Sequence, residues 1–86
     1  MIDRIKDIIL KTISEILDVL PESVSEQTEL VHLGLDSFKT VVLVVGLEES
    51  LDIVFADHEL LYEYFSTLDR IMSLVSEKLA LKEIKA

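Results

Sequence analysis

Apolar residues return every three or four positions through the start of the chain. Ile2, Ile5, Ile8, Ile9, Ile13, Ile16, Leu17 and Leu20 form one row, with Asp3, Lys6, Asp7, Lys11 and Glu15 on the other side. This is the period of an amphipathic α-helix and not the alternation of a half-buried strand. It predicts a first helix over about residues 3–18, stopped by Pro21, which supplies no amide and clashes with a preceding turn.

The rest of the chain reads in the same way. From Ser37 to Leu51 the β-branched run Thr40-Val41-Val42-Leu43-Val44-Val45 suits a buried strand by propensity. Length and flanks favour a helix instead, because Thr40, Leu43, Leu47 and Leu51 share one row and Glu48-Glu49 follows without a turn signal. Gly46 and the β-branched residues make that helix intrinsically weak, so packing must hold it. Asp57 or His58 opens a short helix around His58 to Tyr64, with Leu60, Leu61 and Tyr64 as its buried side. Ser66 or Thr67 caps a last helix of about residues 68–82, striped by Leu68, Ile71, Met72, Val75 and Leu79. Between Pro21 and Asp36 lies a polar stretch with scattered apolar residues, which predicts a long loop pinned to the core; loops of this length in small domains are usually functional. With no strand pair, repeat or low-complexity linker, the expectation is an all-α single domain over residues 1–86, with three longer helices, one short helix and a long first loop.

Charge narrows the function. The net charge is −9, and it is concentrated: between residues 12 and 69 Lys39 is the only cation against 13 carboxylates, a net −12. Such a field repels phosphate backbones, which excludes nucleic acid as a partner. It fits a protein partner with a basic patch, or simply a solvated acidic face that keeps a small domain soluble as a monomer. The start lacks the basic and apolar regions of a secretory signal, and the longest apolar run, Val41 to Val45, is far short of the ~20 residues of a membrane span. The expectation is an intracellular, cytoplasmic protein.

Few residues are placed for catalysis. The chain has no cysteine, so a thiol nucleophile, a disulfide scaffold and a Cys-based metal site are excluded. His32 and His58 have no neighbours at catalytic or metal-ligand spacing and read as surface or loop residues. Glu48, Glu49 and Asp52 read as a solvated acidic face, since adjacent carboxylates on one helix point about 100° apart. Tyr62, Tyr64 and Phe65 read as cover for the core. A hydrolase using Ser37 with His32 would lack a third residue to orient the imidazole. What remains is Leu33-Gly34-Leu35-Asp36-Ser37-Phe38, where Gly34 permits a tight backbone, Asp36 caps a helix, and Ser37 stands at its first position with its hydroxyl exposed.

The segment from Leu33 through Ser37 to Glu49 resembles the attachment segment of acyl carrier proteins, in which an L-G-x-D-S-L core leads into an apolar helix ending in L-E-E. The resemblance extends over nearly the whole chain and implies that family's four-helix bundle. It implies that Ser37 receives 4′-phosphopantetheine from coenzyme A through a phosphopantetheinyl transferase, and that acyl-transferring or acyl-activating synthase enzymes use the loaded arm. A carrier of this kind is not an enzyme. Phe38 stands where the family usually has Leu, and Lys39 and Val42 where fatty-acid carriers often have acids on the partner-facing helix. Leu35-Asp36 leans toward acyl rather than peptidyl or aminoacyl carriers, and Met1 with no trailing linker suggests a free-standing protein rather than a piece of a larger synthase. The remaining alternative is a carrier-like acidic adaptor without the prosthetic group. Partner-binding candidates are Lys39, Val41, Val42, Val45, Glu48 and Glu49: the three valines either form an exposed apolar patch beside Ser37 or pack inward against the long loop.

Overall fold

A computed structural model describes residues 2–85, with side chains described over residues 4–81. Three α-helices carry the architecture: α1 over Ile2–Leu17, α2 over Ser37–Leu51 and α3 over Leu68–Lys85. Short 3₁₀ turns occupy Pro21–Ser23, Leu30–Leu33, Asp57–Glu59 and Tyr62–Tyr64, and no strand occurs among the described residues. The expected apolar role of Ile2 and the expected charge of Asp3 and of Lys82, Glu83 and Lys85 fall outside the described side chains.

α1 packs against both other helices. Its Ile9, Ile13 and Leu17 meet Leu43, Val44 and Leu47 of α2 and Leu68, Ile71, Leu74 and Val75 of α3 in one buried cluster. The connections complete that cluster with Val24, Leu30, Leu35, Ile53, Phe55 and Phe65. In a chain this short, helix faces alone bury too little surface, so apolar residues on the loops are part of the core. Met72 and Leu79, expected on the α3 stripe, are only half-buried, and Leu74 takes a core place instead. α1 ends where Asp18 adopts a left-handed φ of 56°, and the chain then turns Leu20 outward to 66% exposure, so Leu20 does not continue the apolar row.

The long first connection is fastened at both sides. Leu30 is fully buried, and its amide donates to the Ser66 carbonyl at 2.8 Å, while the Asp69 amide donates to the Glu26 carbonyl at 3.0 Å. These bonds stitch the loop to the start of α3, where Thr67 Oγ1 caps the helix by accepting from the Arg70 amide at 3.2 Å. The Lys6–Glu26 ion pair at 3.0 Å adds an exposed tie to α1.

The short helix expected over His58 to Tyr64 is not one helix. Two 3₁₀ turns stand there, separated at Leu60-Leu61, with Leu61 extended at φ −99° and ψ 146°. Leu60 and Leu61 are exposed at 45% and 50%, and Tyr62 at 52%; of the three aromatic residues read as core cover, only Phe65 is fully buried and Tyr64 is half-buried. A segment under two turns long gains little from helical bonds. Its ends are set instead by the buried Phe55 and Phe65, which fix the chain's path regardless of its internal helical preference.

Candidate functional site

The site begins at Gly34, whose φ of 107° lies in the left-handed region that a side chain disfavours. That conformation ends the Leu30–Leu33 turn, with the Gly34 amide donating back to the Leu30 and Val31 carbonyls. Leu35 then plugs the core at 4% exposure and donates its amide to the Leu30 carbonyl at 3.0 Å. The next residue, Asp36, is extended, and its Oδ1 accepts from the Lys39 amide at 2.8 Å, which satisfies one free donor of the first turn of α2. Asp36 is therefore the cap the sequence indicated. Its carbonyl also accepts from the Thr40 hydroxyl at 2.7 Å.

Ser37, the first residue of α2, is exposed. Beside it opens a cavity of about 500 Å³ lined by Val31, Leu35, Asp36, Ser37, Thr40, Val41, Val44, Leu60 and Tyr62. Apart from Asp36, Ser37, Thr40 and the Tyr62 hydroxyl, every lining side chain is hydrocarbon. The cavity is the one feature of the site that sequence reasoning missed, because its outer wall comes from a segment distant in the chain whose leucine was assigned to the core.

The partner-facing candidates separate into two groups. Phe38 is 76% exposed, Val41 61%, Val42 40% and Val45 46%. At about 100° per residue these four share one face of α2, next to Ser37, with exposed Glu49 at the far end of the same face. The inward stripe holds Leu43, Val44 and Leu47, so α2 is apolar on both sides. Lys39 is half-buried on another face, its ammonium 3.9 Å from where a Cβ on Gly34 would stand. Glu48 is also half-buried and is occupied structurally: its Oε2 accepts from the Phe55 amide at 2.9 Å. It thus anchors the chain leaving α2 instead of standing free on the surface.

Two titrations are displaced near the cavity. Burial pushes the Glu59 carboxyl up, but the Lys78 ammonium, the Ala56 amide and nearby His58 together hold it below its ordinary value. Desolvation and the neighbouring Glu29 carboxylate, which accepts from the Tyr62 hydroxyl at 3.4 Å, raise the Tyr62 phenol. The phenol therefore stays a donor at neutral pH. His32 and His58 are both exposed, and no group of acidic or histidine side chains suited to a metal ion occurs among the described residues.

Residues 7–82 match the family model described as phosphopantetheine attachment site. The chain is 33% identical over 76 residues to an acyl carrier protein of Buchnera aphidicola subsp. Acyrthosiphon pisum (strain Tuc7), covering 87% of this chain and 92% of that one. It is 32% identical over 82 residues to a chloroplastic acyl carrier protein of Brassica napus, covering 95% of this chain and 58% of that protein's length. An all-helical fold with an exposed, capped serine beside an apolar cavity, and a family match over most of its length, define a phosphopantetheine-dependent carrier. The chain belongs to the acyl carrier protein family.

Its prosthetic group is accordingly 4′-phosphopantetheine, and it acts as a carrier, not an enzyme. The residues present fit that group. Ser37 offers an exposed hydroxyl at the positive end of α2, and the adjacent cavity, which Ser37 helps to line, is mostly apolar. When bound, the group supplies a thiol that carries acyl groups. Partners of such a carrier are synthases and transferases, and no described helix is long and apolar enough to cross a membrane.

Proposed function

We propose that residues 1–86 form one carrier domain that bears its phosphopantetheine arm on Ser37 and holds acyl intermediates for fatty-acid, polyketide or related specialised biosynthesis. The observation that carries this reading is the apolar cavity opening directly beside the exposed Ser37 hydroxyl. A cavity whose walls are mostly hydrocarbon suits a hydrocarbon cargo, with its few polar groups gathered at the Ser37 end of α2 and at Tyr62. This favours acyl over peptidyl or aminoacyl cargo. It also speaks against an adaptor without the arm, for which a cavity at that serine has no use.

In this reading Ser37 is the attachment point, and Asp36 fixes its place by holding the first turn of α2. Leu35, Val41 and Val44 offer the cargo an apolar wall and exclude water from it. Phe38, Val41, Val42 and Val45 form the contact surface for the phosphopantetheinyl transferase and for acyl-handling enzymes, and Glu49 steers basic partners toward it. Glu48 contributes little to that contact, since its carboxylate already holds the Phe55 amide. Lys39, whose ammonium lies beside Gly34, moderates the acidic field near Ser37.

The test is direct. Incubation with coenzyme A, magnesium and a broad-specificity phosphopantetheinyl transferase adds the mass of one arm, located at Ser37 by peptide mass spectrometry. Ser37→Ala abolishes the gain while leaving stability within about 0.5 kcal/mol, as an exposed change outside a cap does. Loading that persists in Ser37→Ala overturns the assignment.

A further inference from the structure

The cavity has two unlike walls. Leu35 and Val44 belong to the buried core, at 4% and 8% exposure. Leu60 and Tyr62 instead come from the segment 56–64, in which neither 3₁₀ turn buries a residue. The residues bounding that segment, Phe55 and Phe65, are 5% and 0% exposed, and their rings meet edge to face with centroids 5.4 Å apart. The segment therefore leaves the core and returns to it at one aromatic pair. This makes it a closed-ended surface flap, a loop form that is often functional.

Beyond that hinge the flap is held by half-buried Tyr64, which packs against the core near its end, and by polar ties. Glu59 Oε1 accepts from Lys78 Nζ of α3 at 2.6 Å and from the Ala56 amide at 2.7 Å. The two side chains are only 17% and 15% exposed, and the ammonium also lies 5.5 Å from the centre of the Phe55 ring. Screened from water and charge-assisted, this is the stronger of the flap's two side-chain polar ties to the rest of the fold. The Tyr62–Glu29 bond, at 3.4 Å and exposed, is much weaker. Glu59 immediately precedes Leu60, so the strong tie acts on a side chain that faces the cavity.

We infer that Glu59 and Lys78 are positioning residues for the cargo: their ion pair sets how far the Leu60–Tyr62 wall stands from α2, and so the longest apolar chain the cavity takes. This rests on the reading that cargo borne at Ser37 enters the cavity. The pair touches no cargo itself and acts through Leu60.

The experiment loads the protein, Lys78→Met, Glu59→Gln and Lys78→Arg with butanoyl, octanoyl and dodecanoyl arms. It then compares melting temperature with that of the unacylated form, and thioester hydrolysis with that of the same acyl group on free pantetheine. In the parent, protection reaches a maximum at a chain shorter than dodecanoyl. Lys78→Met and Glu59→Gln move the best-protected cargo to the longer chain, with hydrolysis of the dodecanoyl thioester slowed several-fold, and Lys78→Arg keeps the parental ranking. An equal loss of melting temperature in both variants, with an unchanged ranking of chain lengths, makes the pair a plain staple and overturns the inference. Successful loading at Ser37 with no effect of any chain in the parent overturns the cavity reading and this inference together. Amide hydrogen exchange on the unloaded protein checks the mechanical step separately: residues 56–64 lose protection in Lys78→Met before the helices do, and unchanged exchange there overturns the proposal whatever the cargo does.

Discussion

Asp36 and Gly34 show how much of the candidate site rests on single backbone requirements. Gly34 turns the chain with a φ of 107°, Leu35 buries, and Asp36 receives the Lys39 amide, so three consecutive residues aim Ser37 outward. Asp36→Ala leaves that first-turn donor unsatisfied and lowers stability by about 1 kcal/mol in urea unfolding. The same substitution slows arm transfer to Ser37, because the start of α2 frays. Equal stability of Asp36→Ala and Ser37→Ala would remove the capping argument. Every residue of this segment was readable in the sequence, since a cap and a glycine turn depend on neighbours within four positions. The tie between Glu59 and Lys78 was not readable, as it joins side chains 19 positions apart that nothing local pairs.

At the level of elements, α2 is the informative helix because it is apolar on two sides. One side packs on α1, where Gly46 allows a close approach: a Cβ placed there would lie 3.2 Å from Thr12 Cγ2. Gly46→Ala gains helix propensity worth up to about 1 kcal/mol but forces that contact apart. In a Thr12→Ser background the methyl is gone, so Gly46→Ala becomes stabilising relative to its effect in the parent. A double-mutant cycle in urea measures this coupling, and additivity within error would mean the helices yield freely. The other side exposes Phe38, Val41, Val42 and Val45. Val42→Glu leaves the melting temperature nearly unchanged, because the side chain is already 40% exposed, and it speeds dissociation from the cognate partner. Glu49→Lys chiefly slows association and reduces its salt dependence. A large loss of stability in Val42→Glu would place that residue in the core and end the contact-surface proposal.

For the whole molecule, charge and core work against each other. The net −9 is carried by a small domain with a core from a few helix faces and loop plugs, so carboxylate repulsion takes a visible share of a stability that is small to begin with. Moderate salt or magnesium therefore raises the melting temperature, and a fall would show that the charges are already well separated. Acid has a second, opposite effect through Glu59. Its folded-state pKa is depressed below 4.5, so its contribution is present at neutral pH and is lost as pH falls from about 4.5 through the lower folded value. Glu59→Gln removes that loss, and its stability profile is flatter than the parent's over this range in chemical denaturation.

The all-α class, the places of the three helices though not the end of the last, which runs to Lys85 and not to about residue 82, the Asp36 cap before Ser37 and the acidic middle were determined by the sequence alone, because helix periodicity, caps and charge are set by residues a few positions apart. Tertiary structure alone decided the fate of the segment 56–64. Its leucines and Tyr62 look like core material in isolation, but buried Phe55 and Phe65 close the chain on itself and leave Leu60 and Tyr62 to wall a cavity at Ser37. Likewise Glu48, an acid indistinguishable in sequence from Glu49, is drawn inward by the Phe55 amide while its neighbour stays exposed. In both cases the deciding partner lies beyond the reach of local pattern. Burial is a property of what the fold brings alongside a residue, which no spacing along the chain records.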